Sequence, residues 1–547
     1  MSNLRVALAQ VNPCVGDIEG NAALVMDQAR AAHAAGAQVV VFPEMVITGY
    51  PIEDLALRES FQRAAERAVD HVAVALSAEG LGGLTVVLGT LGVNAAGDAL
   101  NEAVVIQRGE VSARYAKHHL PNYGVFDERR IFKPGTGKCV IELDGRRVGI
   151  VICEDIWQDG GPVATMAASD VQLLLVLNGS PFEEGKGHVR TDLAIKRARE
   201  VEAPLAYVNL WGGQDDLVFD GHSFIVGADG HMLASAPGFA DALLLWDVPD
   251  DDDTPAATQV VEHMEQDAQV YWACVTGLRD YVHKNGFQKV VLGLSGGIDS
   301  ALVAMIAADA LGGPNVIGVS MPSKYSSDHS KSDAQVLAEN LGVDYRVQSI
   351  EPMVAAFDAE LGLEGIAAEN IQARVRGMII MGLSNSEGAF ALATGNKSEL
   401  ATGYSTMYGD AVGAFAPIKD LDKTRVWDLS RWRNAYAVSR GESAPIPEAS
   451  ITKPPSAELR PGQLDQDSLP AYDLLDEVLD AYVEHAEGRA ELLARGFDEA
   501  VVDKVLSLVD RAEWKRRQYP PGPKVTALAF GRDRRLPITS RWRERAE

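Results

Sequence analysis

Short apolar runs alternate with amphipathic segments along the first 245 residues. The runs at 4–11 (LRVALAQV), 37–44 (AQVVVFPE), 84–93 (LTVVLGTLGV), 148–155 (VGIVICED), 171–180 (VQLLLVLNGS) and 204–210 (PLAYVNL) are near-continuous and brief. That is the pattern of strands buried on both faces. Residues 21–35 and 58–75 repeat apolar positions at helical spacing. Strands that alternate with helices predict an α/β domain. At residue 247 the texture breaks into DVPDDDDTPAATQ. Four consecutive acids between prolines resist helix and strand, so a linker is expected over 247–258. The pattern then restarts. A helix from Gln266 places Val270, Cys274, Leu278 and Tyr281 on one face. Strand (289–294), helix (300–311), strand (316–321), helix (331–341) and strand (345–350) follow. This predicts a second α/β domain, an open, doubly wound parallel sheet. The expected domains are 1–246 and 259–547.

The chain has 547 residues and a formal net charge of −27. That charge argues against non-specific nucleic-acid binding, which needs a basic face, but not against a local basic pocket for small anions. Cys14, Cys139, Cys153 and Cys274 are widely spaced and form no Cys-x-x-Cys pair. Neither a zinc site nor a disulfide framework is expected, and a reducing compartment is the default. The N-terminal stretch MSNLRVALAQVNP lacks a basic start and an apolar core, so no signal peptide is expected. No apolar run is long enough to span a bilayer. A cytoplasmic protein without a membrane partner is expected.

Residues 290–302 read VVLGLSGGIDSAL. A strand feeding a Gly-Gly turn and then a helix lets backbone approach an anion, and the helix start offers free N–H groups. Ser295 and Ser300 add hydroxyls. Asp299 would repel a phosphate unless a divalent cation lay between them. The Gly-Lys-Ser/Thr ending of a Walker A loop is missing. Ser-Gly-Gly-Ile-Asp-Ser resembles the loop of the N-type ATP pyrophosphatases. There it holds the leaving pyrophosphate while a substrate carboxylate attacks the α-phosphate of ATP. The resemblance implies ATP contacts from Gly293, Leu294, Ser295, Gly296, Gly297, Ile298, Asp299 and Ser300.

Further on, FALATGNKSELATGYSTMYGD (390–410) reads as a strand ending at Thr394, a Gly395-Asn396 turn and a polar helix start. This stretch, SSDHSKSDA (326–334) and ENIQARVRG (369–377) resemble the NAD synthetases. By that resemblance Thr394 touches ATP, and Asn370, Glu399 and Lys515 touch deamido-NAD. Asp299 and Glu399 are the expected ligands of a Mg²⁺ ion that accompanies ATP. Lys515, Arg516 and Arg517 form a basic cluster in an acidic chain, which suits phosphates. The long Pro-rich stretch SITKPPSAELRPGQ (450–463) is a candidate lid.

An adenylated carboxylate needs a nucleophile. Cys153 ends a buried strand in VGIVICEDIW, Glu44 ends another in VVVFPEMVITGYP, and Lys117 lies at an element boundary in ARYAKHHLPNYGVFDERR. A lone Cys at a strand end is ordinarily a small core residue. Glu, Lys and Cys in this order and context resemble the nitrilase superfamily. The residue types suit amide hydrolysis: Glu44 takes the thiol proton, Cys153 attacks, and Lys117 stabilises the oxyanion. Glu128 is expected to orient Lys117 or the substrate. Within nitrilases that carry a synthetase domain, the resemblance implies glutamine as substrate, held by Tyr123, Glu128, Ser180 and Lys186.

From Glu44 to Lys515 the chain resembles the glutamine-dependent NAD synthetases. The implied fold is α/β throughout, an αββα nitrilase-like sandwich followed by a Rossmann-like adenine nucleotide α-hydrolase domain. The implied reaction amidates deamido-NAD at the expense of ATP, with nitrogen from glutamine. Ammonia transfer inside the protein and a homo-oligomer are also expected. Two alternatives stay open: the same chemistry on a different nucleotide carboxylate, or an amidase with a nucleotide-sensing module that binds ATP without making AMP.

Overall fold

The computed structural model describes residues 4–249 and 258–544. It divides into two compact units, the first ending at Glu265 and the second starting at Gln266, with 215–217 clustering with the second.

The first unit holds two six-stranded sheets. One is ordered Ala242–Val248, Leu4–Gln10, Val39–Val41, Thr85–Val93, Ala99–Gln107, Glu110–Ala116. The other is ordered Met232–Ser235, Phe224–Val226, Leu205–Asn209, Leu173–Asn178, Arg146–Ile152, Cys139–Leu143. Strand alternation explains the layering. Leu4, Val6, Leu8, Val39 and Val41 share one apolar cluster with Ile150, Ile152, Leu173 and Leu175 of the other sheet. The intervening residues Ala7, Ala9 and Val40 pack instead with Val25, Ala29, Val69 and Val72 of the helices Ile18–Ala34 and Glu59–Ala78. Val151, Leu174 and Val176 likewise pack with Ala194 and Ala198 of the helix Lys186–Val201. The layers are helix, sheet, sheet, helix, as the resemblance implied.

The chain departs from the expected 247–258 linker at both ends. Asp247 and Val248 belong to a strand paired antiparallel with Leu4–Gln10, where Asp247 takes a two-pronged ion pair from Arg5 at 2.7 and 2.9 Å. Beyond it, Thr258 N and Ser235 N bond back-and-forth with Leu233 O and Gln259 O of the first unit. Residues 250–257 of the expected linker lie outside the described residues.

The second unit carries a four-stranded parallel sheet ordered Asp344–Val347, Val316–Ser320, Val290–Gly293, Phe390–Ala391. Sequence-adjacent strands grow outward from Val290–Gly293 and the last strand adds on its other side. The crevice where strand order reverses is the usual ligand site of such sheets. The helix Ile366–Glu387 covers the face with Val291, Ile317 and Val319 through Ile380. The expected strand ending at Thr394 is shorter, stopping at Ala391, with a single bridge from Leu392 to Phe415.

Candidate active site

Two constellations form, one in each unit.

In the first unit, Glu44, Lys117 and Cys153 each stand just past a strand: Val39–Val41, Glu110–Ala116 and Arg146–Ile152. The Glu44 segment crosses the neighbouring strand at Gly89, where a Cβ would meet the Glu44 and Met45 backbone, so a glycine is required there. Cys153 opens a tight turn in the left-handed region at φ 41°, as expected of strained functional turns.

Lys117 and Glu44 are 1% and 0% exposed. Lys117 Nζ donates to Glu44 Oε1 at 2.7 Å and to Glu128 Oε1 at 3.0 Å. Asn101 Nδ2 donates to Glu44 Oε1 at 2.7 Å, and Gly179 N to Glu44 Oε2 at 2.8 Å. Tyr50 OH donates to Glu128 Oε1 at 2.9 Å, while Glu128 Oε2 is buried without a partner. Burial lowers the Lys117 pKa, but Glu128, Glu44 and Cys153 outweigh it and hold the ammonium well above its ordinary value. Burial pushes the Cys153 thiol well up; Glu44 adds to the rise and Lys117 opposes it. A protonated thiol, a carboxylate acceptor and a fixed cation therefore meet in a dry site.

Burial pushes the Glu128 carboxyl up to about 7, with Lys117 pulling against it and Glu44 adding to it. An ordinary glutamate titrates at 4.5, so between these values the folded chain keeps a proton that the unfolded chain has released. The group's stabilising contribution is full below the lower value and is lost as pH rises through the higher one. Urea unfolding should show wild type losing stability relative to Glu128→Gln between about pH 5 and about pH 7.5. Parallel curves would contradict this.

The expected glutamine ligands are placed unequally. Tyr123 is 55% exposed and donates through its OH to Glu154 Oε2 at 2.9 Å, beside Cys153. Lys186 Nζ lies 6.0 Å from the Phe126 ring centroid. Ser180 is buried, and its Oγ accepts from Arg190 Nε at 3.0 Å. Arg190 also grips Asp220 with Nη1 at 2.7 and 2.9 Å. The Ser180 hydroxyl therefore buttresses the Gly179 loop that holds Glu44.

In the second unit, the 293–300 turn runs from the strand Val290–Gly293 into the helix Ile298–Leu311. Ser295 Oγ and Ser300 Oγ lie 3.1 Å apart, Gly297 N donates to Ser295 Oγ at 3.2 Å, and Ser300 Oγ donates to Gly297 O at 3.0 Å. The turn is thus closed on itself. Gly296, at φ +80°, sits where a Cβ would strike the Ser330 carbonyl. A cavity of about 280 Å³ opens beside it, lined by 293–295, 297–300, Thr394, Glu399 and the cations Lys331, Arg376, Lys423 and Lys453. The 454–459 loop forms another wall.

Asn396 caps the helix Lys397–Thr402: Glu399 N donates to Asn396 Oδ1 at 3.0 Å, and Asn396 N returns a bond to Glu399 Oε2 at 3.3 Å. Asn396 Nδ2 donates to Asp299 Oδ1 at 2.8 Å, and Lys423 Nζ pairs with Asp299 Oδ2. Burial pushes the Glu399 carboxyl well up; Asp299 adds to this and Lys423 opposes it. Two carboxylates on one cavity lining, Asp299 and Glu399, match the usual protein share of a Mg²⁺ site, which takes one or two carboxylates plus phosphates and water. Among the described residues no group of three His, Cys, Asp or Glu forms a metal cage.

Asn370 and Lys515 are not among the cavity's lining residues. Asn370 Oδ1 accepts from Thr406 Oγ1 at 2.8 Å. Lys515 Nζ donates to the Gly403 and Ser405 carbonyls at 2.6 and 2.7 Å. Both brace the loop that follows the Glu399 helix. Arg516 is buried against Glu513 and the Ala401 carbonyl, so the expected basic cluster is partly internal. Sequence reasoning missed Asn101, Arg190, Asn396 and Lys423. The Asn396-x-x-Glu399 spacing of a capping box was the one readable signal for Asn396.

A carbon-nitrogen hydrolase family profile matches residues 5–253, and an NAD synthase profile matches 270–519. The chain is 43% identical over 549 residues to the glutamine-dependent NAD(+) synthetase of Acinetobacter baylyi, covering 99% of both chains. It is 42% identical over 586 residues to that of Thermotoga maritima, covering 100% of both. The solved structure of the Acinetobacter baumannii synthetase in complex with ADP is 40% identical, covers 100% of both chains and gives a TM-score of 0.79. With this likeness running through both units, the chain belongs to the glutamine-dependent NAD(+) synthetases.

Proposed function

We propose that the two constellations carry the two halves of one ligase reaction, with hydrolysis of glutamine in the first unit and amidation of deamido-NAD in the second. The observation that carries this reading is the buried Lys117 held between Glu44 and Glu128 beside Cys153, in a chain that also bears the 293–300 loop and its cavity.

In the first half Cys153 Sγ attacks the side-chain amide carbon of glutamine and passes its proton to Glu44. Lys117 is a cation already in place for the oxyanion, so little reorganisation is needed when charge develops. Glu44 returns the proton to the nitrogen of the tetrahedral adduct, and its C–N bond breaks to give ammonia and the Cys153 thioester. Water, deprotonated by Glu44, then adds to the thioester, the C–S bond breaks to release glutamate, and Glu44 passes the proton to the leaving Cys153 sulfur. Tyr123 and Lys186 stand at the substrate's amino-acid end, and Lys186 suits its α-carboxylate. Glu128 orients Lys117.

In the second half a nicotinate carboxylate oxygen attacks the α-phosphorus of ATP and pyrophosphate leaves into the 293–300 loop. The helix start receives its oxygens, and the Ser295 and Ser300 hydroxyls join it by releasing the bonds that close the turn. Ammonia then attacks the acyl carbon and AMP leaves. Asp299 and Glu399 would hold Mg²⁺, which neutralises the triphosphate. Lys423, paired with Asp299, faces the same phosphates. Thr394 contacts ATP, and Asn370, Glu399 and Lys515 position deamido-NAD, the first and last through the 403–406 loop.

Free ammonia is mostly ammonium at neutral pH and is then no nucleophile, so transfer within the protein is part of the reading. An ammonia-consuming enzyme in the buffer should leave glutamine-driven NAD formation unchanged; its abolition would contradict internal transfer. The reading also includes a homo-oligomer, which a single 58.6 kDa species in sedimentation at working concentration would contradict. Among the described residues Cys14, Cys139, Cys153 and Cys274 form no disulfide, which suits a reducing compartment such as the cytoplasm. Among the described residues no helix is long and apolar enough to cross a membrane.

A further inference from the structure

Lys117 and Cys153 come from different sheets. Lys117 follows Glu110–Ala116 at the edge of the first sheet, and Cys153 follows Arg146–Ile152 in the second. Between the sheets lies an apolar cluster. Apolar burial is strong but non-directional, so it sets the spacing of the sheets more tightly than their lateral register. A proton relay needs its atoms held within a fraction of an ångström. Something directional has to tie the two strand ends together.

Asp155 meets that need. It is 0% exposed and lies two residues after Cys153. Its Oδ1 accepts from His118 N at 3.1 Å and His119 N at 2.8 Å, the two amides directly after Lys117. Its Oδ2 accepts from Ile152 N at 3.0 Å, the amide directly before Cys153, and from Tyr115 OH at 2.8 Å, two residues before Lys117. One carboxylate therefore holds backbone on both sides of the nucleophile–cation pair. Burial raises the Asp155 pKa while these donors lower it. Lys117, Glu44, Glu154 and Glu128 are the charged groups that act most on the Cys153 thiol, and Lys117 alone among them lowers its pKa; Arg190 also senses the thiol.

We propose that Asp155 is a positioning residue that sets Lys117 and Cys153 relative to each other by cross-bracing the ends of the two sheets. It touches no reacting atom. Its function is geometric, so its loss acts on the reactivity of Cys153 rather than on the binding of substrate.

Asp155→Asn keeps the shape but replaces one acceptor oxygen by a donor, so one pair of donors loses its acceptor. The test uses the full chain and three readings. The first is the rate of Cys153 alkylation by iodoacetamide against pH, with Cys153→Ala identifying the labelled thiol. The second is kcat and KM for glutamate release from glutamine. The third is ammonium-driven NAD formation as a check on folding. The brace predicts alkylation about tenfold slower at neutral pH, with the profile moved to higher pH. It also predicts kcat at least about tenfold lower, with KM within about threefold and ammonium-driven synthesis retained. An unaltered alkylation profile overturns the proposal, whatever happens to kcat. Should the Asn variant not fold, Tyr115→Phe removes one of the four donors: a smaller shift in the same direction supports the brace and no shift overturns it. The kcat arm rests on the glutaminase reading. If wild type releases no glutamate while Asp155→Asn still slows alkylation, that reading fails and the brace stands.

Discussion

Cys153→Ala is expected to abolish glutamine-driven NAD formation, by roughly a thousandfold or more, and to leave ammonium-driven formation near wild type. The thiol is the one group in the first constellation that can form a bond to the amide carbon. Glu44, Lys117 and Glu128 only move a proton, hold charge or orient. Removing the thiol leaves their hydrogen bonds intact, because none of the bonds at Glu44 or Lys117 runs through Cys153. The variant should therefore fold as wild type does. Ammonium supplied at high concentration reaches the second site without the first. If Cys153→Ala kept glutamine-driven synthesis, the nucleophile would have been misassigned. If it lost both activities, the two sites would not be separable as proposed.

Asp299→Asn is expected to cost on the order of a hundredfold or more in NAD formation with either nitrogen source. Asp299 is held from two sides, by Asn396 Nδ2 and by Lys423 Nζ. An amide there takes from the buried Lys423 ammonium its hydrogen-bonded counter-charge and removes one of the two carboxylates proposed for Mg²⁺. Both effects fall on the adenylation step, which precedes any use of ammonia. The check is AMP formation with ammonium at rising Mg²⁺. Rescue is expected to stay incomplete at any Mg²⁺ concentration, and Cys153 alkylation is expected to match wild type. A variant with wild-type AMP formation would remove Asp299 from the chemistry.

The two variants separate the halves by contrast, since one is blind to ammonium and the other is not. Buried strands were readable because both faces are apolar: the runs at 84–93, 171–180 and 204–210 all became strands. The strands Glu110–Ala116 and Cys139–Leu143 went unread because each is half-exposed and carries charges on its outer face. The acidic run looked like a linker from its first residue, yet Asp247 is a strand residue fixed by Arg5, 242 positions away. Composition cannot show such a partner.

The same limit applied in the sites. Glu44, Lys117, Cys153 and the 293–300 loop stand at strand ends with local context that carries their chemistry. Asn101 acts on Glu44 across 57 residues, and Lys423 on Asp299 across 124. Lys397, in the middle of the readable Gly-Asn-Lys-Ser-Glu stretch, turns away from the cavity and pairs with Asp420 and Glu484. A motif fixes which residues are present; long-range packing decides which of them face the ligand.

We propose that one polypeptide turns glutamine nitrogen into the amide of NAD through an adenylate. The most direct measurement supplies deamido-NAD, ATP, Mg²⁺ and amide-¹⁵N glutamine with unlabelled ammonium held well below the concentration that drives synthesis alone, and follows NAD mass together with AMP and ADP. NAD heavier by one mass unit, one AMP formed for each NAD, and no ADP are expected. Unlabelled NAD, or ADP in place of AMP, would contradict it.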